Sequence, residues 1–206
     1  MKRKITEKIA GILNPKEVFV YFALALHCDI NTYESYIKQE TLYTKLKIKK
    51  ETLIKYLKKY EINNLLRIEK FYPKGSHGVI TRNKYILNTE HFNFIDDKLF
   101  DESISPELMG FLILIKSKCL NTKNYTLYNK SVLAESLNIS RPTFTKYFNE
   151  AVKWGYILEK DGKIELLRDD IFYNSKDNLS TFTKQYLDYM LSDDEKMNLG
   201  SLKVEN

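Results

Sequence analysis

Sliding the 206-residue sequence past itself by 91 positions lays residues 17–70 on residues 108–161 without a gap. Leu42 then meets Leu133, Leu46 meets Leu137 and Ile48 meets Ile139, while Thr52, Lys55 and Tyr56 meet Thr143, Lys146 and Tyr147. The match reaches back to Cys28 over Cys119 and forward to Leu66 over Ile157. Where identity is lost, apolar character is kept, as in Leu53 over Phe144 and Leu57 over Phe148. A chain that matches itself at ordered core positions contains two copies of one structural unit.

Each copy reads alike. A first helix is predicted over Glu17–Cys28 and again over Pro106–Cys119, apolar on more than one face and therefore well buried. Short extended segments follow at Tyr36-Ile37 and Leu127-Tyr128, then second helices at Gln39–Leu46 and Lys130–Leu137. Three-residue breaks, Lys47-Ile48-Lys49 and Asn138-Ile139-Ser140, lead into third helices. Ser140 is a favourable N-cap and Pro142 falls in the first turn, where a missing N–H costs nothing. Lys49 is a poorer cap, so the first copy's third helix is expected to start less firmly.

Leu53, Tyr56, Leu57 and Tyr60 follow i, i+3, i+4, i+7 spacing, as do Phe144, Tyr147, Phe148 and Ala151. This stripe is expected to pack on the preceding helices. The opposite face carries Lys50, Glu51, Thr52, Lys55, Lys58 and Lys59 in one copy, with Lys49 at its start counted among the DNA-binding residues, and Arg141, Thr143, Thr145, Lys146 and Asn149 in the other. A charged face alone marks only a solvated surface. On the second helix of a helix-turn-helix it is the face that enters a DNA major groove.

After each third helix come two strands. Leu65–Tyr72 turns through residues 73–78 and returns as Val79–Leu87, with Lys74, His77, Arg82 and Lys84 near a long Gly-containing tip. Tyr156–Lys160 turns through Asp161-Gly162, a tight hairpin signal, and returns as Lys163–Leu167. The first wing suits phosphate or minor-groove contact, and the second reaches only the backbone, through Lys160 and Lys163. The expected fold is mostly α with small β wings (α+β): two tandem winged helix-turn-helix domains plus a C-terminal helix.

Charge follows the same division. Residues 1–90 carry a net +9 and residues 106–168 a net +4, whereas 91–105 and 169–206 carry −3 and −4. Basic blocks of this kind suit a polyanion, because each neutralised phosphate releases condensed counterions. Duplex DNA is the expected partner. Most aromatic residues fall on core-facing repeat positions, which argues against base stacking on single strands.

Other chemistry finds little support. His27, His77 and His91 are scattered, and residues 75–78 lack the Lys-Ser/Thr ending of a phosphate-binding loop. Asp96-Asp97, Asp169-Asp170 and Asp193-Asp194 fall in polar connectors. Cys28 and Cys119 occupy equivalent repeat positions, which suits core packing. No catalytic residue, metal or cofactor is expected, and the chain reads as non-enzymatic. No apolar run approaches the roughly 20 residues of a membrane span, and two cysteines without a signal segment suggest a cytoplasmic location.

The segment Val18–His27, the Gln39-Glu40-Thr41-Leu42 opening and Tyr56–Arg67 resemble the winged-helix domains of plasmid and phage replication initiators and replisome organisers. The resemblance covers roughly residues 16–88 and 105–168. It implies sequence-specific duplex binding, with initiation or organisation of replication as the leading role. Transcriptional repression or autoregulation in a mobile element is the second reading. An adaptor for plasmid partition or transfer is the third.

The expected organisation is a first domain over 1–90, an acidic linker over 91–105 packed between the modules, a second domain over 106–168, and a C-terminal region over 169–206. Within that region residues 178–192 read as a helix whose face of Phe182, Tyr186, Tyr189 and Met190 docks on the second module or contacts a second copy or a protein partner.

Overall fold

The computed structural model describes residues 1–72, 74–75, 78–79, 81–120 and 123–173. The expected helix over 178–192 therefore lies outside the described residues. The chain begins with β1 (Lys2–Thr6) and a 3-10 turn at Glu7–Ile9. The first module follows as α1 (Pro15–Leu26), β2 (Glu34–Ser35), α2 (Gln39–Lys45), α3 (Lys50–Ile62), β3 (Leu66–Phe71), the short wing-tip pair β4 (Lys74–Gly75) and β5 (Gly78–Val79), and β6 (Arg82–Leu87). Next come β7 (Phe92–Asp96) and α4 (Lys98–Asp101). The second module is α5 (Pro106–Lys116), β8 (Tyr125–Thr126), α6 (Lys130–Ser136), α7 (Arg141–Lys153), β9 (Ile157–Lys160) and β10 (Lys163–Leu166), and β11 (Phe172–Tyr173) ends the described chain.

The two modules share one topology. Their sheets run β2-β6-β3 and β8-β10-β9, all antiparallel, and each hangs from the end of a three-helix unit. This is the winged helix-turn-helix arrangement, present twice in an α+β chain with small β wings. The short first strands begin two residues earlier than expected, at Glu34 and Tyr125.

Local sequence explains the helix ends. Pro15 and Pro106 occupy the first turns of α1 and α5, where no N–H is needed. Asn14 Oδ1 accepts from the Glu17 amide while Glu17 Oε2 accepts from the Asn14 amide, a reciprocal capping box. Ser105 Oγ accepts from the Leu108 amide at the equivalent end. The turn between the second and third helices holds its left-handed residue at the same place in both copies, Lys47 with φ 51° and Asn138 with φ 52°. The next amides, Ile48 and Ile139, bond back to the Tyr43 and Ala134 carbonyls.

Residues 91–105 are more than a linker. β7 is the middle strand of a third sheet, ordered β1-β7-β11, and this sheet joins the ends of both modules. The buried residues form one cluster that runs through both copies. Its centre is α1 against α5, which is why both helices are apolar on several faces: each packs on its own module with one face and on its counterpart with another. Gly110 lies at the closest approach, where a Cβ would fall 1.8 Å from the Pro15 carbonyl oxygen.

Candidate nucleic-acid interface

α3 and α7 are both 13 residues long and each buries a single stripe, Leu53, Leu57 and Tyr60 in one and Phe144, Phe148 and Ala151 in the other. In the second module Phe111 of α5 meets Phe144 edge-on at 5.2 Å and also contacts the Tyr147 ring at 5.6 Å. In the first, the Tyr60 hydroxyl donates to the Glu17 carbonyl at 2.6 Å and the Tyr21 hydroxyl to the Leu65 carbonyl at 3.0 Å. Burial drives both phenol pKa values far upward, so both remain donors.

Fixing these stripes decides what faces outward. Lys49, Lys50, Lys55 and Lys58 are exposed and form no ion pair among the described residues, and Thr52 lies half-buried beside them. On α7, Arg141, Thr143, Thr145, Lys146 and Asn149 are all exposed. Ile54 and Ile62 lie between the lysines of α3, where Ile62 is 79% exposed.

Lys59 departs from the expected face. Its Nζ lies 2.6 Å from Glu17 Oε2, half-buried against α1, so its charge is already neutralised. Glu17 is the buried capping residue of α1, and a carboxylate so placed needs a cation. Lys84 departs in the same way. It lies 2.9 Å from Glu34 and 3.2 Å from Glu69 across the wing sheet, and these two carboxylates hold its pKa above the ordinary lysine value.

Ser140 also differs from expectation. Its hydroxyl donates to Thr143 Oγ1 at 2.8 Å and caps no backbone amide, so α3 and α7 alike begin without a side-chain cap. The better-capped helix of the second module is α6, where Asn129 Oδ1 accepts from the Val132 amide; Lys38 makes no such bond at α2.

The wings differ in length. β3 and β6 pair over six residues, from Leu66↔Leu87 to Phe71↔Arg82, and Arg82 is exposed at the outer end. The β4 backbone carries Lys74 beyond it, and His77 lies outside the described residues. β9 and β10 pair over four residues and turn at Asp161 and Gly162, both with positive φ. Lys160 and Lys163 are exposed at that turn, and Lys163 Nζ also lies 5.0 Å from the Tyr125 ring centre.

One feature of the first module escaped the sequence. A cleft of about 230 Å³ runs between the wing and the start of α2, lined by Tyr36, Lys38, Gln39, Arg82 and Asn83 among others. It brings Lys38 beside Arg82, although 44 positions separate them. The second module has Lys130 in the place of Gln39, and Lys130 is held by Glu159 at 2.7 Å and by the Phe148 ring at 4.9 Å. Only the contact between wing and second helix reveals this difference.

Among the described residues no group of three or more His, Cys, Asp or Glu side chains could hold a metal ion, and no helix is long and apolar enough to cross a membrane. Cys28 and Cys119 are both buried, and burial pushes each thiol up to about 12.

The topology defines a chain of two winged helix-turn-helix modules. No protein-family profile matches it, and no curated protein matches it. Among solved structures, a chain of the "Nse1-Nse3-Nse4 complex" is similar over 76% of this chain and 69% of that one, at 11% identity and a TM-score of 0.26. A likeness that slight carries no argument about fold or function.

Proposed function

We propose that this chain is a sequence-specific double-stranded DNA-binding protein that uses α3 and α7 as recognition helices. The observation that carries this reading is the duplicated outward face: at equivalent positions of both third helices cations stand exposed, Lys50 and Lys55 in one and Arg141 and Lys146 in the other, while the opposite stripe is buried. Lys50, Lys55 and Lys58, joined by Lys38 at the start of α2 and by Arg82 and Lys74 on the wing, suit phosphates, which position a protein on the duplex. Arg141 is the best candidate for a base edge, because its fork can bond guanine O6 and N7 together. Thr143, Thr145 and Asn149 stand beside it as smaller polar readers.

Within that class we assign the chain to initiating or organising replication of a plasmid or phage, on the strength of the resemblance of Val18–His27, Gln39–Leu42 and Tyr56–Arg67. Mapping bound sites tests both levels. Clustered sites beside an AT-rich region support the replication role, and a single site over the chain's own promoter refutes it in favour of repression. Arg141→Ala should weaken specific binding by about 1–3 kcal/mol and relax preference at one base position. An equal loss on every duplex would remove Arg141 from base reading.

A further inference from the structure

The outer face of α3 carries apolar surface that a phosphate contact does not need. Ile54 and Ile62 line one groove of about 540 Å³ with Lys55 and Lys58, and Ile62 is the most exposed large hydrophobic residue among those described. A helix-turn-helix enters the groove of DNA with the N-terminal residues of this helix, whereas Ile62 is the last residue of α3. The second module has Thr145, Asn149 and Lys153 at the positions of Ile54, Lys58 and Ile62. The shared topology therefore does not require the isoleucines, and this mixed patch belongs to the first module alone.

The chain itself carries a segment of complementary pattern. Residues 186–195 hold four carboxylates, Asp188, Asp193, Asp194 and Glu195, no Lys or Arg, and five aromatic or aliphatic side chains. They lie outside the described residues, beyond Tyr173, which is fixed in the joining sheet. Its hydroxyl donates to Asp96 Oδ2 at 3.2 Å, and Lys2 Nζ lies 3.8 Å from its ring centre. Twelve residues separate Tyr173 from Tyr186, and fully extended they reach about 40 Å. That is about the diameter of a body of this size, so every face of the two modules is within range. A segment tethered so closely acts at an effective concentration on the order of millimolar, which favours it over a second copy or a dilute partner.

We infer that residues 186–195 dock on the outer face of α3 and compete there with duplex DNA, the competition resting on the DNA-binding reading above. The acids meet Lys55 and Lys58, both exposed, while the apolar side chains cover Ile54 and Ile62. Exposed cations alone would suit DNA, and exposed apolar area alone would suit many partners; the two together select a segment that is both acidic and apolar. The exposed patch at Leu120 and Leu127 of the second module has a single lysine, Lys118, in its lining and offers a poorer charge match. Docked on α3, the segment screens the lysines from weakly held duplex and yields to a site that binds more tightly.

The test couples carboxylates to lysines in the full chain with a water-soluble carbodiimide, in a mixture of isotope-labelled and unlabelled protein, and maps the amide links by mass spectrometry. Links from Lys55 or Lys58 to residues 188–195 within one chain are expected, and excess duplex should abolish them. Ile62→Gln, at an exposed position, should leave the fold intact and remove most of these links. It should also raise duplex affinity about tenfold, the factor by which a face open one-tenth of the time lowers it. This variant changes no charge, so general attraction for DNA cannot produce the gain. Asp188→Asn, Asp193→Asn, Asp194→Asn and Glu195→Gln together should raise affinity at least as much. Links between labelled and unlabelled chains, links at Lys118 instead, no links, or affinity unchanged in both variants overturns the inference. Links in place with no duplex bound by parent or variants overturns the DNA-binding reading and leaves the docking standing.

Discussion

Position by position, the two modules hold the same three helices with different chemistry. In the first, Glu17 gathers the Asn14 amide, the Lys59 ammonium and, through its own carbonyl, the Tyr60 hydroxyl. The second has Leu108, Glu150 and Ala151 at the positions of Glu17, Lys59 and Tyr60. It stacks Phe144 on Phe148 at 5.9 Å and sets Phe111 against Phe144. Its buried polar network lies elsewhere: Lys116 donates to Asn124 Oδ1 at 2.5 Å, and Asn124 Nδ2 donates to Asp169 and to the Phe172 carbonyl, both at 2.6 Å. One topology thus tolerates exchange between hydrocarbon and satisfied polar groups, provided that no buried group is left without a partner. The exchange has a consequence for the outer face, since the first module spends one lysine of its third helix on holding α1.

The comparison breaks most severely at the contact both modules share. Gly110→Val should destabilise the fold by about 3 kcal/mol or more, because backbone at α1 must move to admit the side chain, and a denaturant titration would read the loss. The same titration on Lys59→Met should show a loss of about 1–2 kcal/mol, since Glu17 keeps its buried charge and loses its cation. Glu150→Met, the equivalent change in the second module, should be close to neutral. Equal effects of the two would mean that the polar anchoring is incidental.

The difference extends to salt dependence. Lys58→Gln should lower the slope of log affinity against log salt by about 0.9, the value for one phosphate contact, without changing stability. Lys84→Gln should leave that slope unchanged, because Glu34 and Glu69 already neutralise Lys84; a drop equal to that of Lys58→Gln would return Lys84 to the interface. The smallest effect concerns a point where the modules agree. Each buried thiol is raised to about 12, so the stability gained by keeping it protonated is fully present below the ordinary thiol range. It is lost as pH rises from there toward about 12. Native Cys28 and Cys119 should therefore resist alkylation equally at mildly alkaline pH and react together on unfolding, which a mass measurement would follow.

Much of this was legible beforehand, for identifiable reasons. The stripe of Leu53, Leu57 and Tyr60 and that of Phe144, Phe148 and Ala151 are periodic within one helix, so they could be read from spacing alone. The tight turn at Asp161-Gly162 was equally local, since its dipeptide accepts positive φ at both residues. The strand β7 was harder, because its partners β1 and β11 stand about 90 and 80 positions away and its own residues carry an acidic, linker-like composition. Lys38 drew no notice because nothing near it in the chain announces Arg82.

What the sequence determined by itself is the duplication, the order of elements within each copy, the buried faces of the third helices and therefore which residues point away from the core. These follow from short-range periodicity and from a match at fixed offset, both properties of the linear chain. Tertiary structure alone decided which outward charges remain free and how the two copies face each other. Lys59 meets Glu17 across 42 positions and Lys84 meets Glu34 across 50, and Lys4 pairs with Phe94 in the joining sheet across 90. Contacts at such separations arise from the closing of the whole core, and no local pattern encodes them.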